Sequence, residues 1–151
     1  MSRENIILVV SVSIFKDDKV LIIKEDKPIA INKWNFPGGR IEYGEDILDS
    51  AKREVKEETG FDVSLINTTG VYNFNSITDN QVILFHFTAE IVGGTLKLEE
   101  EEIVDSKWIK LNELSKMEDK DLREPHVIRQ IIESLLNDKL HSTCIFKKQL
   151  L

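Results

Sequence analysis

The sequence predicts an α/β domain, and three observations carry that expectation. Runs rich in β-branched and aromatic residues, such as Ile6–Phe15, Phe61–Phe74 and Gln81–Ile91, have the composition of strands. Two other stretches place apolar residues at helical spacing: Ile47, Leu48, Ala51 and Val55, and then Val127, Ile128, Ile131, Ile132, Leu135 and Leu136. The chain has 151 residues, 41% of them hydrophobic and 31% charged, which is a globular composition. That length fits one domain and hides roughly two thirds of the unfolded surface on folding. Repeats, low-complexity tracts and linkers are absent from the sequence, so one domain over residues 1–151 is expected.

Ile6–Phe15 reads as a buried strand. It is too short to span a bilayer, which takes roughly 20 residues, and no membrane association is expected. It lacks a small-residue cleavage site and runs into Lys16-Asp17-Asp18, so it does not read as a signal peptide. Lys16–Lys19 is a polar turn, and Val20–Lys24 returns as the second strand of a hairpin. Glu25–Lys33 reads as a loop. In Trp34-Asn35-Phe36-Pro37-Gly38-Gly39, Pro37 stiffens the approach and the glycines permit close backbone contact. Asp46 is placed to cap a helix, with Asp49 three residues on, and Gly60 is placed to end it in a left-handed conformation. Phe61–Phe74 and Gln81–Ile91 form an antiparallel pair around the polar turn Asn75–Asn80. Gly93-Gly94 is a turn, and Thr95–Leu98 reads as a short strand. Val104–Leu111 is a further strand, and Pro125 is placed to open the last helix. Residues 139–151 end basic and apolar and fit an added strand, a homodimer contact or a frayed tail.

The net charge of −7 argues against non-specific nucleic-acid binding, which needs basic patches. The single cysteine, Cys144, excludes an internal disulfide and a cysteine-rich zinc site, and implies a reduced, cytoplasmic setting. His86, His126 and His141 show no paired spacing; His86, on a strand, is packed or exposed rather than catalytic.

The helix from Ile47 carries an unusual end. Glu54 and Glu58 are like charges at i and i+4, costing roughly 0.2–0.5 kcal/mol. Glu57 and Glu58 fall in the last turn, where the helix dipole disfavours acids by roughly 0.3–1 kcal/mol each. Arg53 reaches Glu57 at i+4. Glu54, Glu57 and Glu58 share an arc of about 100°. They form either a solvated charged face or an oxygen site for a hard divalent cation, which would reverse the sign of each cost.

The spacing weighs on that choice. Gly39, Glu45, Arg53-Glu54, Glu57-Glu58 and Gly60, followed by apolar Phe61, stand at intervals that would coincide by chance on the order of once in 10^8 starting points. This stretch, residues 39–61, resembles the Nudix box, and the Trp34–Gly39 lead-in and the Trp108–Leu114 segment resemble their MutT-like counterparts. The resemblance implies an α/β/α sandwich with a mixed β-sheet. It also implies a hydrolase that cleaves a phosphoanhydride in a nucleoside diphosphate linked to another moiety, with Mg²⁺ (or Mn²⁺) as cofactor and a small nucleotide as partner. By resemblance the metal ligands are the Gly38 carbonyl, Glu54, Glu57, Glu58 and one glutamate of Glu99–Glu102. Counted from Trp108 that glutamate is Glu102, with Glu99 and Glu101 as alternatives. Glu54 is the general base, with Glu57 the second candidate, and Arg53 orients Glu57. Gly39, Glu45 and Gly60 shape the motif.

For substrate, the resemblance points to Lys24 on phosphate, although a strand-end lysine explains it equally. Arg40 is either on phosphate or exposed, and Phe36 and Trp34 either stack on a base or pack in the core. Arg123 stands where a base-reading asparagine is expected, which departs from an oxidised-guanine enzyme. The proline and tyrosine markers of ADP-ribose and dinucleoside-polyphosphate enzymes are missing or displaced. A nucleoside triphosphate pyrophosphohydrolase is therefore the preferred expectation, with an ADP-ribose or nucleotide-sugar pyrophosphatase next. A non-catalytic nucleotide sensor is the alternative of a different class, but such domains usually lose box glutamates.

Overall fold

The computed structural model describes residues 5–150; Met1–Glu4 and Leu151, which the expected 1–151 domain includes, lie outside the described residues. The described strands are β1 (Ile6–Lys16), β2 (Lys19–Lys27), β3 (Ala30–Asn35), β4 (Gly38–Arg40), β5 (Phe61–Asn75), β6 (Gln81–Gly94), β7 (Ile103–Lys110) and β8 (His141–Ser142). The helices are α1 (Ile47–Thr59), α2 (Leu111–Leu114) and α3 (Pro125–Leu136). The strands form one sheet in the order β3-β2-β1-β6-β5-β8, with β4 pairing β1 and β7 pairing β2. The sheet is mixed. β1 runs parallel to β6, from Ile6 opposite Gln81 to Phe15 opposite Glu90, and the remaining ladders are antiparallel.

Two apolar layers cover this sheet. Val10, Val12 and Ile14 of β1, two residues apart, meet Ala51 and Val55 of α1 together with Phe87 of β6. On the other side, Val20, Ile22, Val82 and Leu84 meet Val127, Ile128, Ile131 and Ile132 of α3. Each such buried side chain contributes about 1.5–3 kcal/mol relative to exposure. β1 is buried on both faces near its centre because both are covered, Ser11 and Ser13 alternating with Val10, Val12 and Ile14. The expected α/β/α sandwich is the observed one. Leu136, expected on the buried face of α3, is instead 53% exposed.

The β1–β2 hairpin opens the space for the site. Only Phe15–Val20 and Lys16–Lys19 pair across it, beside a turn that holds Asp17 at φ +59°. β2, paired with β7 from Lys19 onward, then leaves β1 for β3, and β4 takes its place beside Val9–Ser11. The expected loop Glu25–Lys33 is mostly strand. β2 runs on to Lys27 and pairs with β3, so backbone pairing overrides the polar composition there. Gly93 and Gly94 are not a turn; they close β6 opposite Asp62 and Phe61, while Thr95–Leu98 forms no strand. Asp46 has the extended backbone of an N-cap but makes no side-chain capping bond; its Oδ1 accepts the Gln149 N–H at 3.0 Å instead. Gly60 ends α1 at φ +83°, as expected, and an added Cβ there would lie 2.3 Å from the Thr95 carbonyl.

The tail is an added strand. β8 pairs with Asn67–Thr68 of β5, and the Phe146 ring packs 5.0 Å from Phe87 and 5.8 Å from Phe85. His86 is fully buried, its Nδ1 and Nε2 each 2.6 Å from the hydroxyls of Ser11 and Ser13, and its ring 5.0 Å from Phe36. Burial holds its imidazole neutral, with a pKa down to about 3. One serine then accepts from the ring N–H and the other donates to the bare nitrogen.

Candidate active site

A cleft of about 480 Å³ opens where β1 and β2 diverge, between the C-terminal end of α1 and the N-terminal end of α3. One end of it is built by β4 and α1. Gly38 sits against β1 so closely that a Cβ would lie 2.2 Å from the Val10 carbonyl oxygen. A Cβ on Gly39 would lie 2.4 Å from the Glu54 carboxyl group. Two glycines therefore let the glutamates of α1 reach the backbone of β4. The Gly38 N–H donates to Glu58 Oε1 at 2.7 Å.

Arg53 ties this end together. Its Nε and Nη2 grip both carboxylate oxygens of Glu45, the Nη2 contact being 2.9 Å. Its Nη1 donates to Glu54 Oε1 at 2.9 Å and to Glu57 Oε2 at 3.0 Å, and Nη2 also reaches the Arg40 carbonyl at 3.1 Å. This planar fork is what arginine offers and lysine does not. The Arg53 guanidinium holds the Glu45 carboxyl down to about 2, against the upward pull of burial and with help from the Glu42 N–H. Burial raises Glu54, opposed by Arg53 and reinforced by the charges of Glu57 and Glu100. Burial also pushes Glu58, only 3% exposed, well above the usual carboxylate range, against the stabilising Gly38 N–H. Crowded carboxylates with raised proton affinity are what a bound cation would relieve.

The other end of the cleft is built by β2, β3 and α3. Glu25 is 2% exposed and accepts from Asn35 Nδ2 at 3.1 Å, Arg123 Nη1 at 2.8 Å and Lys27 Nζ at 2.9 Å. Both ladders of β2 shift register beside Glu25, and such a bulge re-aims a side chain. Glu124, immediately before α3, holds φ +49° and its carboxylate accepts the Ile77 N–H at 3.2 Å, tying the β5–β6 loop to the rim.

A family model described as NUDIX domain matches residues 6–131. The chain belongs to that family. A putative nudix hydrolase 1 of Caenorhabditis elegans is 32% identical over 79% of this Nudix chain and 32% of its own length. A putative 8-oxo-dGTP diphosphatase of Bacillus subtilis (strain 168) is 33% identical over 62% of this chain and 59% of its own. The chain thus spans less than two thirds of the length of these curated relatives. A NUDIX hydrolase structure from Nitrosomonas europaea superposes with a TM-score of 0.82 at 30% identity, covering 96% of this chain and 97% of that one. No helix among the described residues is long and apolar enough to cross a membrane.

The Nudix box residues Gly38, Gly39, Arg53, Glu54, Glu57 and Glu58 come together on the cleft, along with Arg40 and Arg123. Three expected residues are placed differently. Glu102 is exposed and away from the cleft, whereas Glu100 lines it, one residue off each alternative that spacing suggested. The tight turn Glu100–Ile103, closed by Ile103 N–H to the Glu100 carbonyl, sets which acid faces inward. Lys24 lies outside the cleft with its ammonium 5.6 Å from the Trp34 ring centre; the bulge turns Glu25 and Lys27 inward instead. Phe36 lines the cleft floor but is only 2% exposed and packed on His86, so its ring is core rather than a free stacking face. Glu25, Lys27, Asn35 and Glu100 also line the cleft, and the sequence expectation names none of them as a site residue. For Glu25 and Lys27 the available signal was period-two alternation, had the strand been extended to Lys27.

Proposed function

We propose that this protein hydrolyses the phosphoanhydride bond of a nucleoside diphosphate linked to a further group, with a nucleoside triphosphate going to monophosphate and pyrophosphate as the preferred case. The observation that carries the reading is the approach of Glu54 and Glu58 to the Gly38–Gly39 backbone, with Glu57 beside them on Arg53, at one end of a cleft of nucleotide size. Glu54, Glu57, Glu58, the Gly38 carbonyl and Glu100 would hold the divalent metal. The donor set fits: it is all oxygen, which suits Mg²⁺ or Mn²⁺. Among the described residues no three acidic side chains close on a single point, because Arg53 and the Gly38 N–H hold one oxygen of each box glutamate. The second oxygen of each makes no hydrogen bond among the described residues and is left as a donor.

The chemistry a cation held by these residues would supply is charge compensation at the phosphoryl oxygens and a lowered pKa for an attacking water. The chain's own residues do the rest. Glu54, held by Arg53 through one oxygen and set against Gly39, takes the proton from water; Glu57 is the second candidate. Arg53 holds Glu54 and Glu57 through Nη1 and returns positive charge to the acidic cluster. Glu45 takes no part in the reaction but fixes Arg53 from behind. Arg40, which lines the cleft, would contact phosphate. Positioning and charge compensation are what phosphoryl transfer asks of a protein.

The test is pyrophosphate and phosphate release from a panel of triphosphates, oxidised triphosphates, ADP-ribose, nucleotide sugars and dinucleoside polyphosphates, in Mg²⁺ with and without EDTA. Release that requires metal and favours a triphosphate supports the reading. Nucleotide binding without turnover of any compound would instead mark a sensor.

A further inference from the structure

We infer that the end of the cleft away from the glutamates selects a 6-oxopurine with an unprotonated N7, guanine or hypoxanthine, over adenine and over guanine oxidised at C8. This rests on the proposed nucleotide hydrolysis and names the substrate class of that same cleft. The starting point is the hydrogen-bond account around Glu25. Asn35 is engaged at both ends, its Nδ2 on Glu25 and its Oδ1 accepting the Phe36 N–H at 2.9 Å. Glu25 is buried and accepts from three donors. Arg123 is different. It lines the cleft at 28% exposure and spends only Nη1 on Glu25; its Nε and Nη2 make no hydrogen bond among the described residues. Lys27 lies beside it on the same carboxylate. The atoms that Arg123 and Lys27 leave to a ligand are donors, so the edge that meets these two side chains carries acceptors.

Charge says which acceptors. Glu25 and Glu124 balance Lys27 and Arg123, so no net positive charge remains for a second anion. The cleft lining also offers Ile7, Ile29, Phe74, Ile77 and Val127, which suit the faces of a flat neutral ring, beside the polar Ser76, Thr78 and Asn80. A guanidinium fork pairs in bidentate fashion with O6 and N7 of guanine. Adenine sets its 6-amino donor against that fork. Oxidation at C8 places a hydrogen on N7 and turns one of the two acceptors into a donor. Glu25, pinned from the opposite side, holds the fork in plane.

The experiment has two arms on the intact protein. Calorimetric binding of GMP, IMP, AMP and 7-deaza-GMP reads base choice whether or not the protein turns over. kcat/KM for GTP, ITP, ATP, 7-deaza-GTP and 8-oxo-GTP in Mg²⁺ reads it in catalysis. The expected preference for GMP over AMP and over 7-deaza-GMP is roughly ten- to a hundredfold, the scale of one bidentate base contact. Arg123→Gln should shift preference towards adenine, since a glutamine amide matches N6 and N7. Arg123→Lys keeps a charge for Glu25 but loses the fork, so it should pull GTP and ITP down towards ATP and level the series, whereas a purely structural role would lower every substrate in proportion and keep the ranking. Equal binding of GMP, AMP and 7-deaza-GMP overturns the inference, as does 8-oxo-GTP as the best substrate. Base-selective binding without any turnover would leave the inference standing and remove the hydrolytic reading.

Discussion

The two ends of the cleft are built in opposite ways. The acidic end comes from one contiguous stretch, Gly38 to Gly60, where a glycine strand, a helix and its cap bring Arg53, Glu54, Glu57 and Glu58 together. The far end draws Glu25 and Lys27 from β2, Asn35 from β3 and Arg123 from the approach to α3, the Glu25–Arg123 bond joining residues 98 positions apart. The first end suits chemistry that does not vary with the group attached to phosphate. The second is assembled from separate stretches that share no backbone with the first. Electrostatics keep them in contact, since the charge of Glu25 is felt at Glu58.

The widest separation of the two ends should come from Glu57→Gln against Arg123→Lys. Glu57 is 46% exposed and contacts Arg53 alone, so its amide should fold as well as the parent. Turnover should nevertheless fall by two or more orders of magnitude on every substrate, about 3 kcal/mol or more in the barrier. Arg123→Lys should alter the ranking of substrates and little else. Steady-state kinetics on the same panel, with thermal melts as a folding control, checks both. Full activity in Glu57→Gln would dismantle the acidic end as described.

What was legible in the sequence follows the same division. The box could be read because its residues sit at helical intervals, so three acids on one arc follow from 3.6 residues per turn. The apolar faces of α1 and α3 and the β5–β6 pair were legible for the same reason. Glu25 was not. It lies in a polar stretch that resembles a loop, and only pairing to β3 and β7, with a register shift in each ladder, makes it a buried inward residue. Glu100 was missed because four consecutive glutamates carry no periodicity, and the turn to Ile103 decides which one faces the cleft. The role of Asp46 was misread because its partner, Gln149, lies at the other end of the chain.

The two glycines offer the next contrast. In Gly38→Ala the new methyl meets backbone, the Val10 oxygen at 2.2 Å and Ser11 Cα at 2.8 Å, so strand pairing must shift. The expected cost is about 1–3 kcal/mol of stability. In Gly39→Ala the methyl meets the Glu54 carboxyl, the far end of a side chain that can swing away. Stability should hardly change, while activity falls with the displaced carboxylate. Urea denaturation and turnover on both variants separate the effects; a fully active Gly39→Ala would show that the observed Glu54 position is not needed.

His86 lies beneath the floor that both ends share, between Ser11 and Phe36. Its folded pKa of about 3 is below the ordinary 6.5, so between those values the unfolded chain binds the extra proton. Stability from this residue is therefore complete above about pH 7 and declines as pH falls, by about 2 kcal/mol at pH 5. Denaturation of the parent and of His86→Gln at pH 7.5 and pH 5 should show a shallower pH dependence in the variant. Parallel loss in both would place the acid sensitivity elsewhere.

The smallest effect should come from Asp46→Ala, where sequence and structure disagree most directly. An N-cap carboxylate removed from a helix of this length costs about 0.5–2 kcal/mol. Asp46 makes no capping bond, and its one acceptor contact is with the Gln149 N–H near the end of the chain. Its loss should fall below about 0.5 kcal/mol, the range of ordinary surface substitutions. A full capping penalty in denaturant titrations would mean that the carboxylate returns to the helix in solution. The tail beyond Phe146 would then have no hold on the start of the helix that carries the glutamates.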